Sequence, residues 1–378
     1  MSTGIEPFRA IAISRLAHAL KAEGRGIIHM EFGQPSTGAP AAAIARAHDV
    51  LDSDGMGYWE SPLLKVRIAQ HYQDRYGVTV APERLLLTCG ASPALVLALT
   101  SRFAPGDRIA MARPGYVAYR NAVRGLRMTP VEIGCGPEEH YQLTARALAA
   151  LEPAPAGVII ASPANPTGSI IPAAELAAIA AVCAERGITI ISDEIYHGLS
   201  FGAPTPSMLE FTPDALVINS FSKYWSMTGW RLGWLLVPTD HVDTAKAYIG
   251  NLFLTPPSLS QHAGLVAMDQ TEELEGHVAV YRRNRELMLA ALPALGLKTI
   301  APPDGAFYIW ADIGHLSHDS LAFCEVLLRD TGVATAPGVD FDPVDGGHFI
   351  RISFAVSTAE VEEALKRMVV WFGARKVE

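Results

Sequence analysis

Short apolar runs alternate with helical patterns through the middle of the chain. Several runs, such as GVIIAS at 157–162, are apolar at successive positions, which is typical of strands covered on both faces. Between them, one stretch keeps the i, i+3, i+4, i+7 spacing of an amphipathic helix, at Leu176, Ile179, Ala180 and Cys183. This alternation predicts an α/β fold in which a mostly parallel sheet is flanked by helices. The predicted strands are 84–88, 108–111, 129–133, 157–162, 189–193, 216–220 and 232–237.

The two ends of the chain have a different pattern. A helix is predicted at 10–23, and a long charged helical pattern begins near residue 270 and continues to about 292. It is followed by two strand-like pieces and a final helix, at 306–310, 348–354 and 358–372. We interpret residues 46–275 as a large domain and the two ends, 1–45 and 276–378, as one smaller α/β domain packed on it.

Composition narrows the class of protein. The 378 residues are 49% hydrophobic and 18% charged, which is enough apolar material for a buried core. The net charge of −9 argues against a nucleic-acid partner, no apolar run approaches the ~20 residues of a membrane helix, and no secretory signal is recognisable. The four cysteines are scattered and form no Cys-x-x-Cys pair, so neither a disulfide framework nor a metal site is expected. We predict a cytoplasmic protein that acts on small molecules.

Residues with chemical potential follow three predicted strands. Asn165 comes after the strand at 157–162, Asp193 and Tyr196 come at and after the end of the next, and Lys223 follows the strand at 216–220. Ligands of parallel α/β sheets bind beyond the carboxyl ends of the strands, so these four side chains could converge at one edge. Each alone has an ordinary interpretation: a turn, a helix cap or a solvated lysine.

In this order and spacing, these residues resemble the fold-type I pyridoxal-phosphate enzymes, specifically the class I/II aminotransferases. The resemblance extends over nearly the whole chain, and its most specific segment runs from Lys223 to Arg231. The matching words are SPANPTG at 162–168, DEIY at 193–196, SFSKYWSMTGWRLG at 220–233, PDGAFY at 303–308 and FIRIS at 349–353. It implies a fold-type I transferase architecture, a pyridoxal 5'-phosphate cofactor, and a homodimer whose active sites are shared at the interface.

The resemblance assigns the catalytic positions. Lys223 would form a Schiff base with the cofactor and later act as a base, for which nearby positive charge must lower its pKa. Asp193 would pair with the ring nitrogen and keep it protonated, so that the ring can accept electrons. Asn165 and Tyr196 would donate hydrogen bonds to the phenolic oxygen of the ring.

The segment Gly90-Ala91-Ser92-Pro93 follows a predicted strand and opens a helix. Free backbone N–H groups at such a point can bind an anion, although Ser92 could instead be an N-cap whose hydroxyl serves those amides. The resemblance implies that this segment binds the cofactor phosphate, and the proposed phosphate-binding residues are Gly90, Ala91, Ser92, Ser220, Ser222 and Arg231.

Two tyrosines are also assigned to the cofactor by resemblance. Tyr116 matches the aromatic ring that stacks on the pyridine, and the alternative is a core tyrosine. Tyr58 matches a tyrosine contributed from the neighbouring subunit to the phosphate, which would require a homodimer built about a two-fold axis.

The substrate would be held by its α-carboxylate. Arg351 resembles the arginine that grips this group, since a planar guanidinium matches a carboxylate bidentately; the alternative for an arginine in an apolar strand is an internal salt bridge. Gly33 resembles the glycine whose backbone meets the same carboxylate, and Asn165 is assigned to the substrate as well as to the cofactor.

Several other classes compete for parts of these motifs. Ser220-x-x-Lys223 matches the penicillin-binding hydrolases, but the S-D-N and K-T-G words of that class are absent. No G-x-G-x-x-G fingerprint and no Gly-Lys pair is present, which argues against dinucleotide and P-loop enzymes. A non-enzymatic regulator of the same fold would be expected to add a basic DNA-binding module. A C–S lyase remains the alternative, because it would use the same lysine and aspartate.

The sequence therefore predicts an aminotransferase that moves an amino group from an α-amino acid to a 2-oxo acid by a ping-pong mechanism. It leaves the substrate side chain open. A dicarboxylate would need a second arginine, for which Arg9, Arg113 and Arg120 are candidates, while an aromatic or aliphatic substrate is equally compatible. Asp340 is a candidate for the entrance of the site, or an ordinary surface residue.

Overall fold

The structure, a computed structural model, describes residues 4–375. The helices are α1 (Arg9–Ala22), α2 (Ala41–Ser53), α3 (Pro62–Tyr76), α4 (Ala91–Arg102), α5 (Val117–Gly125), α6 (Ala145–Ala149), α7 (Ala173–Arg186), α8 (Val242–Leu252), α9 (Ser258–Ala267), α10 (Thr271–Leu295), α11 (Ser320–Thr331) and α12 (Thr358–Arg375). The strands are β1 (Ile28–His29), β2 (Leu85–Thr88), β3 (Arg108–Arg113), β4 (Thr129–Gly134), β5 (Gly157–Ala161), β6 (Thr189–Asp193), β7 (Leu216–Ser220), β8 (Gly233–Leu236), β9 (Tyr308–Asp312), β10 (Val333–Ala334), β11 (Ala336–Pro337) and β12 (Phe349–Ser353).

Seven strands form the central sheet, in the order β2-β8-β7-β6-β5-β3-β4. All seven correspond to runs predicted from the sequence, and the mostly parallel arrangement is confirmed, with β8 alone antiparallel to its neighbours β2 and β7 in this sheet. The strand order was not predicted. Hydrophobic periodicity reports how a strand is buried and contains no information about which strands pair with each other.

Both faces of this sheet are covered, which explains the unbroken apolar runs. In β5, Val158 and Ile160 pack into one buried cluster while Ile159 belongs to the cluster on the opposite face. Successive side chains of a strand point to opposite faces, so a strand buried on both sides needs apolar residues at every position.

The two ends of the chain share a third apolar core. Residues of α1, α10, α11 and α12 pack there with strands β9 and β12, for example Ile13, Val278, Ile309, Leu327 and Met368. Beside this core, β9, β12 and β11 form an antiparallel sheet, and β1 pairs with β10. The domain boundaries stay a prediction: α10 is continuous across the expected boundary at residue 275.

The strand directions place one set of residues at a common edge. Because β2 and β7 are both antiparallel to β8, they run parallel to each other, and their last residues Thr88 and Ser220 both lie opposite Gly233. Asp193 ends β6 at the same edge. β8 begins where the others end, so Arg231, two residues before Gly233, is also brought to this edge. In residues 4–375, no helix has both the length and the apolar composition needed to cross a membrane.

Candidate active site

A cleft of about 380 Å³ opens at this edge of the sheet, against segments from both ends of the chain. Of the residues assigned from the sequence, those that line it are Gly33, Ala91, Ser92, Tyr116, Asn165, Asp193, Tyr196, Ser222, Lys223, Arg231 and Arg351. The expected convergence of the strand-end residues is therefore found in the structure. Gly90, Ser220 and Tyr58 are not part of the lining.

Lys223 follows β7 and its side chain crosses the cleft. Its Nζ donates a hydrogen bond to the carbonyl oxygen of Gly33. Burial, together with the positive charges of Arg351 and Arg231, lowers the pKa of Lys223 to about 8, although Asp193 opposes the shift. An appreciable fraction of this amine is neutral near neutral pH, as a nucleophile or base requires.

Asp193 is the last residue of β6 and is 7% exposed. Its Oδ2 accepts a hydrogen bond of 2.7 Å from the hydroxyl of Tyr119, and its Oδ1 accepts one of 3.1 Å from the N–H of Ile195. Burial raises the pKa of Asp193, while these two hydrogen bonds and the charge of Lys223 act in the opposite direction. A cation bound beside Asp193 would further stabilise its charged form against the effect of burial.

Arg351 lies in the middle strand of the β9-β12-β11 sheet and is 2% exposed. Its Nη1 donates to Oδ1 of Asn165 at 2.9 Å and its Nη2 donates to the carbonyl oxygen of Glu31. Its Nε is buried without a hydrogen-bond partner, and among residues 4–375 no carboxylate lies within 4.0 Å of the guanidinium. The internal salt bridge is thus not formed, and a buried cation without a counter-ion favours an incoming anion.

Tyr196 and Tyr308 connect Arg351 to the rest of the cleft. Their hydroxyls are 2.6 Å apart, and the guanidinium carbon of Arg351 lies 4.5 Å from the centre of the Tyr308 ring. Burial raises the pKa of both phenols, so both remain protonated donors. Gly33 lies against the same pair: a β-carbon there would be 1.6 Å from the Tyr308 hydroxyl, so only glycine fits.

Helix α4 begins at the cleft with its first amides uncapped by any side chain. The N-cap is Gly90, at φ +96°, and no side-chain cap is formed, so the alternative interpretation of Ser92 as an N-cap is wrong. A β-carbon at Gly90 would lie 2.6 Å from Nη2 of Arg231. Glycine therefore permits both the left-handed backbone and the close approach of the guanidinium to the helix start. The N–H groups of Ala91 and Ser92 and the charge of Arg231 together suit a phosphate.

Two serines support this end of the cleft. Ser220 is fully buried and its hydroxyl donates to that of Ser222 at 2.7 Å, while it accepts the N–H of Ser222 at 2.9 Å. Ser222 is the one that reaches the lining. Ser220 therefore supports Ser222 through these hydrogen bonds and does not itself line the cleft.

The two assigned tyrosines differ in position. Tyr116 is partly exposed on the wall of the cleft, with its ring 5.5 Å from that of Tyr119, so it is not a core residue. Tyr58 is 86% exposed in the segment between α2 and α3, outside the cleft of its own chain.

Some lining residues were not assigned from the sequence: Phe8, Phe32, Gln34, Leu95, Ala118, Tyr119, Ile195, Thr228 and Tyr308. Tyr119 could have been found, because it lies three residues after Tyr116, and a helix starting there would bring both to one face. Tyr308 lies in the matching segment at 303–308, but the resemblance did not assign it a function. Phe8 and Phe32 carry no local signal, since nothing near them in the sequence indicates that they reach the cleft.

Known proteins with similar sequences include several aminotransferases. The family model "Aminotransferase class I and II" matches residues 26–368. The chain is 46% identical to the valine–pyruvate aminotransferase of Mycobacterium tuberculosis, over 98% of this chain and 97% of that one.

Solved structures agree with this. The crystal structure of an aminotransferase from M. tuberculosis superimposes with a TM-score of 0.96 at 46% identity, covering 98% of both chains. Aspartate aminotransferase from Thermus thermophilus, solved with maleate, gives a TM-score of 0.90 at 29% identity, covering 97% of each chain. These relatives confirm the predicted fold and the transfer of amino groups between amino acids and 2-oxo acids, and none of these matches favours the C–S lyase. The chain belongs to the class I and II aminotransferases.

Proposed function

We propose that this aminotransferase works with pyridoxal 5'-phosphate bound in the cleft and attached to Lys223. The observation that carries the proposal is that an amine with a pKa of about 8 and the buried carboxylate of Asp193 share one cleft with an uncapped helix start. The residues present fit such a group. Ala91, Ser92, Ser222 and Arg231 offer donors and positive charge to its phosphate, with Ser220 behind them, and Asp193 offers an anion to its ring nitrogen.

Bound there, the cofactor would supply an aldehyde that reacts with amines and a ring that accepts electrons from the substrate Cα. Lys223 would hold this group through its Nζ and would become free when the substrate amine takes its place. The freed Nζ would take the proton from the substrate Cα and would deliver it to the cofactor carbon that carried the aldehyde, not back to Cα. The low pKa of Lys223 keeps this amine available for both steps.

The remaining residues orient the reactants. Arg351, with Nε unsatisfied, grips the substrate α-carboxylate, and the backbone of Gly33 lies beside it. Asn165 accepts from Arg351 through Oδ1, which leaves its Nδ2 as a donor to the phenolic oxygen of the ring, together with the Tyr196 hydroxyl. Tyr116, on the wall of the cleft, would cover the ring. A second substrate, a 2-oxo acid, reverses the steps and gives ping-pong kinetics.

The protein acts as a homodimer in which Tyr58 reaches the phosphate site of the partner. Its exposure of 86% and its absence from the cleft of its own chain support this arrangement. A mixture of Lys223→Ala and Tyr58→Phe chains checks it, since hybrid dimers would restore one intact site when the two residues come from different chains. A cytoplasmic location stays a prediction from the scattered cysteines.

The central test is reconstitution followed by product analysis. Purified protein is loaded with pyridoxal 5'-phosphate, and the 2-oxo acid, amino acid and ammonia products are measured separately for a panel of amino donors with pyruvate and 2-oxoglutarate. We expect one cofactor per chain, a band bleached by borohydride, and amino transfer without ammonia. Lys223→Ala should lose both the bleachable band and turnover, whereas Lys246→Ala, at an exposed lysine of α8, should keep both. A Lys223→Ala protein with normal turnover would refute the assignment.

A further inference from the structure

The substrate end of the cleft has an aromatic wall that begins beside the carboxylate site. The guanidinium carbon of Arg351 lies 4.7 Å from the centre of the Phe341 ring. The Phe341 ring is 6.3 Å from that of Phe8, which in turn is 6.5 Å from that of Phe32. Phe8 and Phe32 face the cleft, while Phe341 is buried behind Phe8. A substrate held at Arg351 therefore meets apolar rings next to its carboxylate.

Each positively charged side chain that lines the cleft already has a role in the proposed function. The described cations that line the cleft are Lys223, Arg231 and Arg351, and the proposed function uses each of them for the amine, the phosphate or the α-carboxylate. No lysine or arginine in the described part of the chain is left on the lining for a second carboxylate.

The three arginines that the sequence left as candidates are paired elsewhere. Arg113 lies 3.3 Å from Asp342 and 3.4 Å from Asp345. Arg120 is buried and bonds Glu132 at 2.9 Å, with Glu6 at 3.6 Å. None of the three lines the cleft.

The third candidate, Arg9, is paired with Asp340, a residue that also contacts the start of the helix next to the aromatic wall. Its Nη1 is 3.9 Å from Asp340, whose carboxylate also accepts the backbone N–H groups of Arg9 and Ala10 at 2.8 Å each. Asp340 is fully buried, so it is neither at the entrance nor on the surface. Phe8, the N-cap residue of α1, has no side-chain cap of its own. Asp340 therefore serves as a remote cap that fixes the first turn of α1 and, with it, the position of Phe8.

We propose that the site selects amino acids and 2-oxo acids with apolar side chains over dicarboxylates, and that Asp340 is a positioning residue for the Phe8–Phe32 wall. The inference rests on the proposed function, because it takes Arg351 as the anchor of the α-carboxylate. An apolar side chain buried against two phenyl rings gains from leaving water, whereas a second carboxylate would lose its hydration without gaining a cation from the lining of this chain.

Unreactive acids test the selection without turnover. Acetate, 3-methylbutanoate and glutarate share one carboxylate and differ in what they carry beyond it, and their binding to the cofactor-loaded enzyme is measured by calorimetry. We expect 3-methylbutanoate to bind about 10- to 50-fold more tightly than acetate, from burial of three additional carbons, and at least 10-fold more tightly than glutarate. Equal or tighter binding of glutarate would overturn the inference.

Variants test the wall and its support. Phe8→Ala should weaken 3-methylbutanoate about 5- to 10-fold and leave acetate within twofold. Asp340→Ala should do the same, and should also speed amide hydrogen exchange in the first turn of α1; Asp340→Asn, which keeps one acceptor oxygen, should be intermediate. The matched control is Asp319→Ala, which removes a similar cap from α11, where Asp319 accepts the N–H groups of Leu321 and Ala322. It should leave all three affinities unchanged.

The outcomes separate this inference from the proposed function. If Asp340→Ala folds with a normal melting temperature and faster exchange but keeps the wild-type preference for 3-methylbutanoate, the positioning role is wrong. If Asp340→Ala does not fold, Phe8→Ala and Asp340→Asn still decide the matter. Failure of the proposed function would appear differently, as protein that takes up no cofactor or binds none of the three acids.

Discussion

The inner end of the cleft, at the edge of the central sheet, is made by residues at or just after the ends of neighbouring strands. The outer end, around Arg351, is assembled from segments that are distant in the sequence. Asp193 and Lys223 come from the ends of β6 and β7, which lie side by side in the sheet. Phe8, Phe32 and Arg351 come from both ends of the chain and meet only because β1 pairs with β10 and α1 packs near β11.

The two ends of the cleft would therefore have different tasks, chemistry at the inner end and substrate binding at the outer end. In the proposed function, the inner end holds the groups that every amino transfer requires, at the edge of a sheet whose two faces are buried. At the outer end, Arg351 would hold the α-carboxylate that amino acids share, while Phe8 and Phe32 would contact the side chain that varies. Changes at the inner end should therefore lower turnover for all substrates alike, while changes at the outer end should alter affinity and depend on the substrate.

The largest effect is expected at Asp193. Asp193→Ala removes the anion opposite the cofactor ring, and we expect kcat to fall by roughly 10³-fold or more for every amino donor, because charge stabilisation at the reacting centre is lost. Cofactor should still bind through Arg231 and the start of α4. The decrease in rate is measured by single-turnover absorbance. A decrease confined to some amino donors would contradict the expectation that the inner end serves all substrates alike.

Arg351 should show the opposite kinetic pattern. Arg351→Gln removes a bidentate charged contact, worth roughly 1.5–3 kcal/mol for each hydrogen bond to a charged group, so the KM of amino acids should rise by about 100-fold. Amines that lack the α-carboxylate should be affected little. Comparing an amino acid with its decarboxylated amine measures this contrast, and an unchanged KM for the amino acid would remove Arg351 from the substrate site.

The pH dependence of Lys223 provides a smaller and more specific signal. The neutral amine is the nucleophile, and the pKa of about 8 lies below the ordinary 10.5, so the rate at which cofactor-free protein reacts with pyridoxal should rise with pH about a midpoint near 8. Arg351→Gln removes one of the causes of the lowered pKa, so the midpoint should move upward. Peptide mapping after borohydride reduction identifies the labelled lysine; a midpoint near 10.5 would show that the cleft does not depress this pKa.

The smallest effect is expected at Tyr119, which no substrate needs to touch. Tyr119→Phe removes the 2.7 Å hydrogen bond to Asp193 and should lower kcat on the order of tenfold. Loss of this donor should raise the pKa of Asp193, since the bond stabilises its charged form. The acid limb of the kcat–pH profile should therefore move to higher pH, and a lower kcat with an unmoved limb would indicate a packing role instead.

Local sequence was sufficient for the inner end because strand ends, helix starts and their flanking residues are consecutive in the chain. The run at 189–193 matched β6 residue for residue, and Asp193 and Lys223 could be assigned to one edge from the direction of parallel strands alone.

Tertiary structure decided what lies far apart in sequence. The reversal of β8 that brings Arg231 to the cleft, the cap from Asp340 to the first turn of α1, and the pairing of three candidate arginines with acidic residues all join segments that periodicity treats separately. A hydrophobic pattern specifies which face of an element is buried, but the partner of that face is chosen by packing of the whole chain. The sequence therefore predicted the chemistry of this protein, and the fold decided which side chains lie beside Arg351.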